Sequence, residues 1–340
     1  MENEQRKGIH FGFAILKCFL SFKVITSHCF KRQSSKNKVI LFITGKRRLH
    51  VPSFTIMSFY FNHNTLISND SKKKMNRFER LLIPYLGWPI IMFVFNNIFK
   101  YTKEQQKLFT IKKLIFQLIT GQGQSLFHFW YLFDLIATTF IFHIIIIAFR
   151  NKYLLILNIM LFFSYYLQYS RFSEIIIRHS KNIQGLAREN EIIPFAITGF
   201  TLNSFKIFNK LEKYKLNTLI ISSLIFYLTQ DFEIFRKFSG VAYNGVKLNI
   251  LSLCLIIIFS FFSFRNIKNK KLMNLLKYST CFSGGVYYLH QVIHFYFKSF
   301  FTDIKNGTFS GLILNYFISY LISLAGGIIF RNNKVKNLFS

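Results

Sequence analysis

The chain has 340 residues, of which 51% are hydrophobic, and 45 of them are phenylalanine. Apolar segments of helix length recur from end to end, which argues against a soluble protein. The formal net charge of +31 would suit nucleic acid, but the basic residues lie between the apolar segments and not on one soluble module, so we expect no nucleic-acid partner.

The apolar segments predict an all-α protein, a polytopic transmembrane helix bundle of about ten helices, since roughly 20 apolar residues cross a bilayer. We interpret residues 1–340 as a single membrane-embedded domain. The shorter segments are expected to be tilted or to begin inside a loop. The predicted spans are 11–30, 49–64, 81–99, 126–148, 153–169, 192–208, 216–229, 248–264, 279–297 and 310–330.

The basic residues of the loops do not orient the chain. Ten spans place both termini on one side of the membrane, and the loop Lys and Arg residues are then divided equally between the two sides. The rule that cytoplasmic loops carry an excess of Lys and Arg therefore selects neither orientation.

The first predicted span keeps ionisable groups that lipid disfavours. Lys17 and His28 are eleven residues apart, which is about three helical turns, so they share a face with Ser21 and Val24, while Lys23 points elsewhere. Ionisable residues inside a span usually face the bundle interior and mark a functional site. The structural alternative is a snorkelling Lys near the helix end and an interfacial His.

Two arginines precede the third span. Arg77 and Arg80 are three residues apart and share a helical face, with Pro84 in the early turns of the span and Trp88 suited to the membrane interface. Two guanidinium groups on one turn suit phosphate oxygens. Simple anchoring of a helix end is the structural alternative for this pair.

The fourth span begins with a polar and aromatic cluster. His128 and Tyr131 share a face, Trp130 suits an interfacial belt, and Asp134 lies about two turns further in. A carboxylate at that depth needs a partner, and Lys or Arg is the expected one.

A second pair of histidines lies in the ninth span, where His290 and His294 are four residues apart. This spacing suits a metal, but neither a third ligand nor a nearby glutamate accompanies it, so we predict no metal site. The four cysteines also lack metal-site spacing and are interpreted as free thiols.

Taken in order, these motifs resemble the integral-membrane acyltransferase-3 family over nearly the whole chain. Lys17 and His28 match the family's basic residue and His spacing, with Lys in place of the usual Arg. Arg77, Arg80 and Pro84 are similar to its Arg-x-x-Arg before a Pro-containing helix. The segments "VPSFTIMSFYF", "HFWYL" and "YYLH" resemble its other motifs, although Phe59 replaces a usual Gly.

The resemblance implies a membrane O-acyltransferase of the cell membrane with both termini cytoplasmic. The donor substrate would be acyl-CoA, specifically acetyl-CoA, with no bound cofactor, and the acceptor a hydroxyl of a glycan or similar molecule. His28 would be the catalytic base or an acyl relay, assisted by Lys17, because an imidazole with an ordinary pKa of about 6.5 can take a hydroxyl proton.

The remaining residues would have secondary roles under the same resemblance. Arg77 and Arg80 would bind the donor phosphates. Support of the site or substrate binding would fall to a further set, namely His128, Trp130, Tyr131, Asp134 and His290. The bilayer is the expected partner besides the substrates.

Two other classes use similar residues. A proton-coupled secondary transporter also needs buried Lys, His and Asp, but the chain has no paired Gly- or Pro-broken helices in matching halves. A non-catalytic membrane scaffold would tolerate the loss of His28.

Overall fold

A computed structural model describes residues 2–29, 49–98, 110–121, 130–169, 184–231, 245–261, 283–297, 300–306, 308–330 and 334–338. Every regular element in these ranges is helical and none is a strand, as expected for an all-α protein. The helices are α1 (Glu2–Cys29), α2 (His50–Ile67), α3 (Ser71–Ile98), α4 (Ile111–Thr120), α5 (Trp130–Phe149), α6 (Tyr153–Tyr169), α7 (Gln184–Ser204), α8 (Ile207–Glu212), α9 (Lys215–Asp231), α10 (Gly245–Phe261), α11 (Ser283–Phe297), α12 (Thr302–Asn306) and α13 (Phe309–Ile329), with short 3₁₀ helices at Arg150–Lys152 and Lys334–Leu338.

Each of the ten predicted spans overlaps one of these helices. By length and composition, three stretches among the described residues are long and apolar enough to cross a membrane, namely Gly12–Cys29, Trp130–Leu167 and Phe309–Ile329. Other apolar helices there are shorter than a bilayer is thick, including Lys215–Thr229 and Gly245–Phe261. A bundle of about ten spans therefore stays a prediction.

Helix α3 begins ten residues before the predicted third span. Asp70 caps it, because its Oδ1 accepts hydrogen bonds from the backbone N–H groups of Lys72 (2.9 Å) and Lys73 (3.2 Å). The hydroxyl oxygen of Ser68 accepts in turn from the N–H of Asp70 at 3.0 Å. The predicted span begins where the charged residues end, whereas the cap decides where the helix starts. Arg77 and Arg80 consequently lie inside the helix.

Residues 1–54, 208–228 and 251–340 form one compact unit, here called the first unit. In it α1, α11 and α13 pack against each other. Their shared core contains Ile25, Cys29, Val286 and Leu312, with aromatic side chains such as Tyr316 packed around it. The buried hydroxyl of Thr26 in this unit is satisfied within its own helix, because it donates to the carbonyl of Lys23 at 2.8 Å.

Residues 55–207 and 229–250 form the second unit, in which α7 packs on α5 and α6, and α3 packs on α5. Gly199 of α7 allows the backbone of α2 to approach closely, because a Cβ there would lie 2.1 Å from the carbonyl oxygen of Ile56. Small residues at helix contacts and polar cross-links are typical of membrane helices. One cross-link joins His63 Nε2 and Ser204 Oγ at 2.8 Å.

Candidate functional site

The first unit brings two of the predicted site histidines together. His28 lies in the last turn of α1 and is exposed, whereas His290 of α11 is fully buried. Their imidazole ring centroids are 5.4 Å apart and the rings are tilted by 38°. An exposed imidazole next to a buried one can meet a substrate from outside while its neighbour stays fixed in the packing.

The ring of His290 is held by its own helix. Its Nδ1 lies 2.7 Å from the backbone carbonyl oxygen of Tyr287, and the Tyr287 ring is 6.2 Å away. A carbonyl only accepts, so this contact assigns the proton to Nδ1 and leaves Nε2 with its lone pair when the ring is neutral. The ring of His290 is thus held in one orientation by its own helix.

Helix α13 contributes a buried amide to the same place. Asn315 Nδ2 donates to the carbonyl oxygen of His290 at 3.0 Å and reaches the thiol sulfur of Cys29 at 3.8 Å. Its Oδ1 accepts from the hydroxyl of Ser319 at 3.1 Å, and Ser323 donates to the Ser319 carbonyl at 2.7 Å. Asn315 therefore contacts Cys29, the neighbour of His28, and the backbone of His290.

The predicted polar face of α1 runs from the interior to an exposed end. Ser21 and Val24 are fully buried, Lys17 is half-buried, and His28 is exposed. Eleven residues of α-helix place Lys17 and His28 about 16 Å apart along the axis. Two groups at that separation serve different parts of a ligand. Lys23, which does not lie on this face, is also buried.

In the second unit, Arg77 is buried, with 6% of its surface exposed. Its Nη2 donates to Thr139 Oγ1 at 3.1 Å, near the middle of α5, and its guanidinium lies 5.2 Å from the ring centroid of Phe59. Within the described ranges Arg77 Nε makes no hydrogen bond. Phe59, which replaces a Gly usual in the family, thus forms a cation–π contact with Arg77, the first arginine of the Arg-x-x-Arg motif.

Arg80 is exposed, although it is only three residues from Arg77. The two arginines therefore differ in environment, and Arg80 is the one that a ligand reaches from the surface.

Tyr131 is buried and its phenol oxygen accepts from Thr55 Oγ1 at 3.4 Å, while the neighbouring Trp130 is half-buried.

Asp134 has no exposed surface. It lies on the face of α5 that also buries Tyr131, Thr138 and Phe142, at successive helical turns. This agrees with the expectation that a carboxylate at this depth faces the protein interior.

The remaining site predictions have different outcomes. His128 lies outside the described residues. His294 is half-buried, one turn beyond His290. Over the described ranges, no group of three or more His, Cys, Asp or Glu residues could hold a metal ion. Sequence reasoning missed Asn315, because a single Asn in an apolar helix carries no motif and its contacts arise only on packing.

These features define an integral membrane protein whose helices bury ionisable and polar side chains. A comparison with protein families matches an acyltransferase domain, that of the acyltransferase-3 family, over residues 11–332. The chain belongs to this family and is an acyltransferase that transfers groups other than aminoacyl groups. No curated protein and no solved structure matched the chain.

Proposed function

We propose that the protein moves an acetyl group from acetyl-CoA to a hydroxyl of a glycan or similar acceptor, with His28 as the reacting side chain. The observation that supports this most directly is the contact between exposed His28 and buried His290 in a chain of this family. An imidazole that a substrate can reach is the group that most often serves as a general base, and a rigid neighbour helps to orient it.

In the simpler route, His28 accepts the proton of the acceptor hydroxyl as that oxygen attacks the thioester carbonyl. The carbon–sulfur bond then breaks, and the departing CoA sulfur takes the proton from the imidazolium. In the relay route, the His28 nitrogen first attacks the thioester carbonyl, and CoA leaves as a thiolate. The acceptor oxygen then attacks the acetyl-imidazolium, the imidazole leaves, and the hydroxyl proton passes to the CoA thiolate. Both routes return His28 to its neutral form.

The cations divide the recognition of the donor. Arg80 is exposed and binds the CoA phosphates directly, while the buried Arg77 supplies positive charge behind it. Lys17 is about 16 Å from His28 along α1, so it orients a remote part of the donor and does not stabilise charge at the atom that His28 serves. Trp130, Tyr131, Asp134 and His290 support the site.

The family resemblance suggests further features of the reaction. Both termini are cytoplasmic, the donor arrives from the cytoplasm, and the acceptor is a glycan on the far side of the cell membrane. No resident cofactor is required, since acyl-CoA is a substrate.

The test uses membranes that contain the protein, radiolabelled acetyl-CoA and a panel of glycans. We expect label to appear on a glycan hydroxyl as an alkali-labile ester. A parallel assay of proton-coupled uptake in sealed vesicles should show no transport. Uptake without any transfer of label would contradict the proposal and favour the transporter.

A further inference from the structure

We infer that Asn315 is a positioning residue that holds His28 and His290 in register, an inference that rests on the proposed role of His28. Asn315 lies on α13, has 1% of its surface exposed, and is too deeply buried to touch a substrate. It acts through the two helices that carry the histidines.

The side-chain amide of Asn315 reaches both of these helices. Its Nδ2 donates to the backbone carbonyl oxygen of His290 on α11 at 3.0 Å, and it contacts the sulfur of Cys29, the neighbour of His28 on α1, at 3.8 Å. A shift of either helix along the other would therefore break one of the two contacts.

The orientation of the amide is itself fixed. Ser319 donates its hydroxyl proton to Asn315 Oδ1 at 3.1 Å, which distinguishes the oxygen end of the amide from the nitrogen end. If the amide rotated by half a turn, the oxygen would face the carbonyl of His290, and two acceptors would meet. The hydrogen bond from Ser319 thus opposes an amide rotation that would leave two acceptors facing each other between α11 and α13.

Precise placement matters because the two rings come from different helices. The packing of Ile25, Cys29, Val286 and Leu312 is apolar, and apolar contacts are non-directional. A displacement of about 1 Å at a reacting group can cost about 100-fold in rate. The directional hydrogen bonds of Asn315 specify a register between the helices that apolar contacts do not specify.

A purely structural role is the competing explanation, and the second unit contains a matched example. Asn249 is also buried, donates to Thr198 Oγ1 at 2.7 Å, and donates to the phenol oxygen of Tyr165. It links helices in the same manner but bonds to neither histidine. Comparison of the two asparagines separates positioning from general stabilisation.

The experiment measures kcat and both KM values for acetyl transfer by the full-length protein in membranes or detergent. For Asn315→Leu we expect kcat to fall by about 10- to 100-fold, with the KM values for acetyl-CoA and acceptor changed by less than about twofold. Asn249→Leu should lower the thermal unfolding temperature but leave kcat per folded molecule unchanged.

Two milder substitutions test the same role if Asn315→Leu does not fold. Ser319→Ala keeps Asn315 but frees its amide, and should lower kcat by about fivefold, the value of one ordinary hydrogen bond. Ser323→Ala removes the next hydrogen bond along the same face and should leave kcat unchanged.

The measurements distinguish failure of the role of Asn315 from failure of the proposed function. If His28→Ala keeps full activity, the proposed role of His28 fails. If His28→Ala is inactive while Asn315→Leu or Ser319→Ala keeps the wild-type kcat, only the positioning role of Asn315 is overturned. A loss confined to KM would also overturn it.

Discussion

His28 and His290 meet with their ring centroids 5.4 Å apart, although one lies near the start of the chain and the other near its end. The buried ring of His290 is fixed to the carbonyl of Tyr287, and the exposed ring of His28 rests beside it. This contact makes His28 the side chain whose removal is most informative.

His28→Ala should lower acetyl transfer by about 100-fold or more, because general-base catalysis contributes about 10²- to 10⁴-fold. The protein should still insert and fold, since His28 is exposed at the end of α1. Turnover of radiolabelled acetyl-CoA per folded molecule is the measurement. His143→Ala, a change at a half-buried histidine of α5, serves as the control and should retain activity.

Arg80→Ala should raise the KM for acetyl-CoA by about tenfold or more, because a hydrogen bond to a charged group is worth about 1.5–3 kcal/mol. The KM for the acceptor should change little. Lys72→Ala removes another exposed cation from the first turn of α3 and should alter neither value. Equal increases in both KM values after Arg80→Ala would instead show that Arg80 anchors the helix.

Asp134→Asn keeps the shape of the side chain and removes its charge. Asp134 is fully buried on α5. A buried carboxylate is tolerated where it is paired or hydrogen-bonded, and removing its charge leaves the partner group uncompensated, so we expect a lower unfolding temperature in detergent and measurable residual activity. Thermal unfolding and acetyl transfer should be measured on the same preparation. A folded Asp134→Asn protein as inactive as His28→Ala would show that this carboxylate has more than a supporting role.

Gly199→Ala should destabilise the second unit by about 1–3 kcal/mol or more, as overpacked sites do. The new Cβ would lie 2.1 Å from the carbonyl oxygen of Ile56, so α2 and α7 must separate. The sign is the test, since Gly→Ala inside an uncrowded helix normally stabilises by about 0.5–1 kcal/mol. A raised unfolding temperature would show that the helices do not approach this closely.

Asp70 should stabilise α3 most strongly while it is ionised. The backbone N–H groups of Lys73 and Lys72 and the Lys73 ammonium group, 3.6 Å from Oδ2, hold the pKa of its carboxyl below the usual value. A lowered pKa means that this stabilisation is complete above the unfolded pKa of about 3.9 and is lost as the pH falls through the folded pKa.

The corresponding measurement compares unfolding temperatures of the wild type and Asp70→Ala over a pH series. The difference should be constant near neutral pH and shrink in acid. Asp70→Asn retains the capping oxygen and should lie between the two. A difference that persists unchanged in acid would mean that the carboxylate charge contributes nothing.

The helical class, the family and the residues worth testing could all be predicted from the sequence. Apolar segments of helix length are local patterns, and the spacing of Lys17 and His28 or of Arg77 and Arg80 follows from helical geometry, so both could be predicted without contacts. The predicted third span and α3 begin at different residues, because hydrophobicity marks where a membrane begins, whereas Asp70 marks where the helix begins.

Which residues meet follows from the packing of the helices and could not be predicted from the sequence. This packing paired His28 with His290, buried Arg77 against Phe59 and Thr139 while leaving Arg80 exposed, and placed Asn315 between α1 and α11. Helical periodicity fixes the face on which a side chain lies, but it does not specify which helix packs on that face. That choice depends on the shapes and hydrogen-bonding groups of distant segments, and the lone Asn315 acquires its partners only when three helices come together.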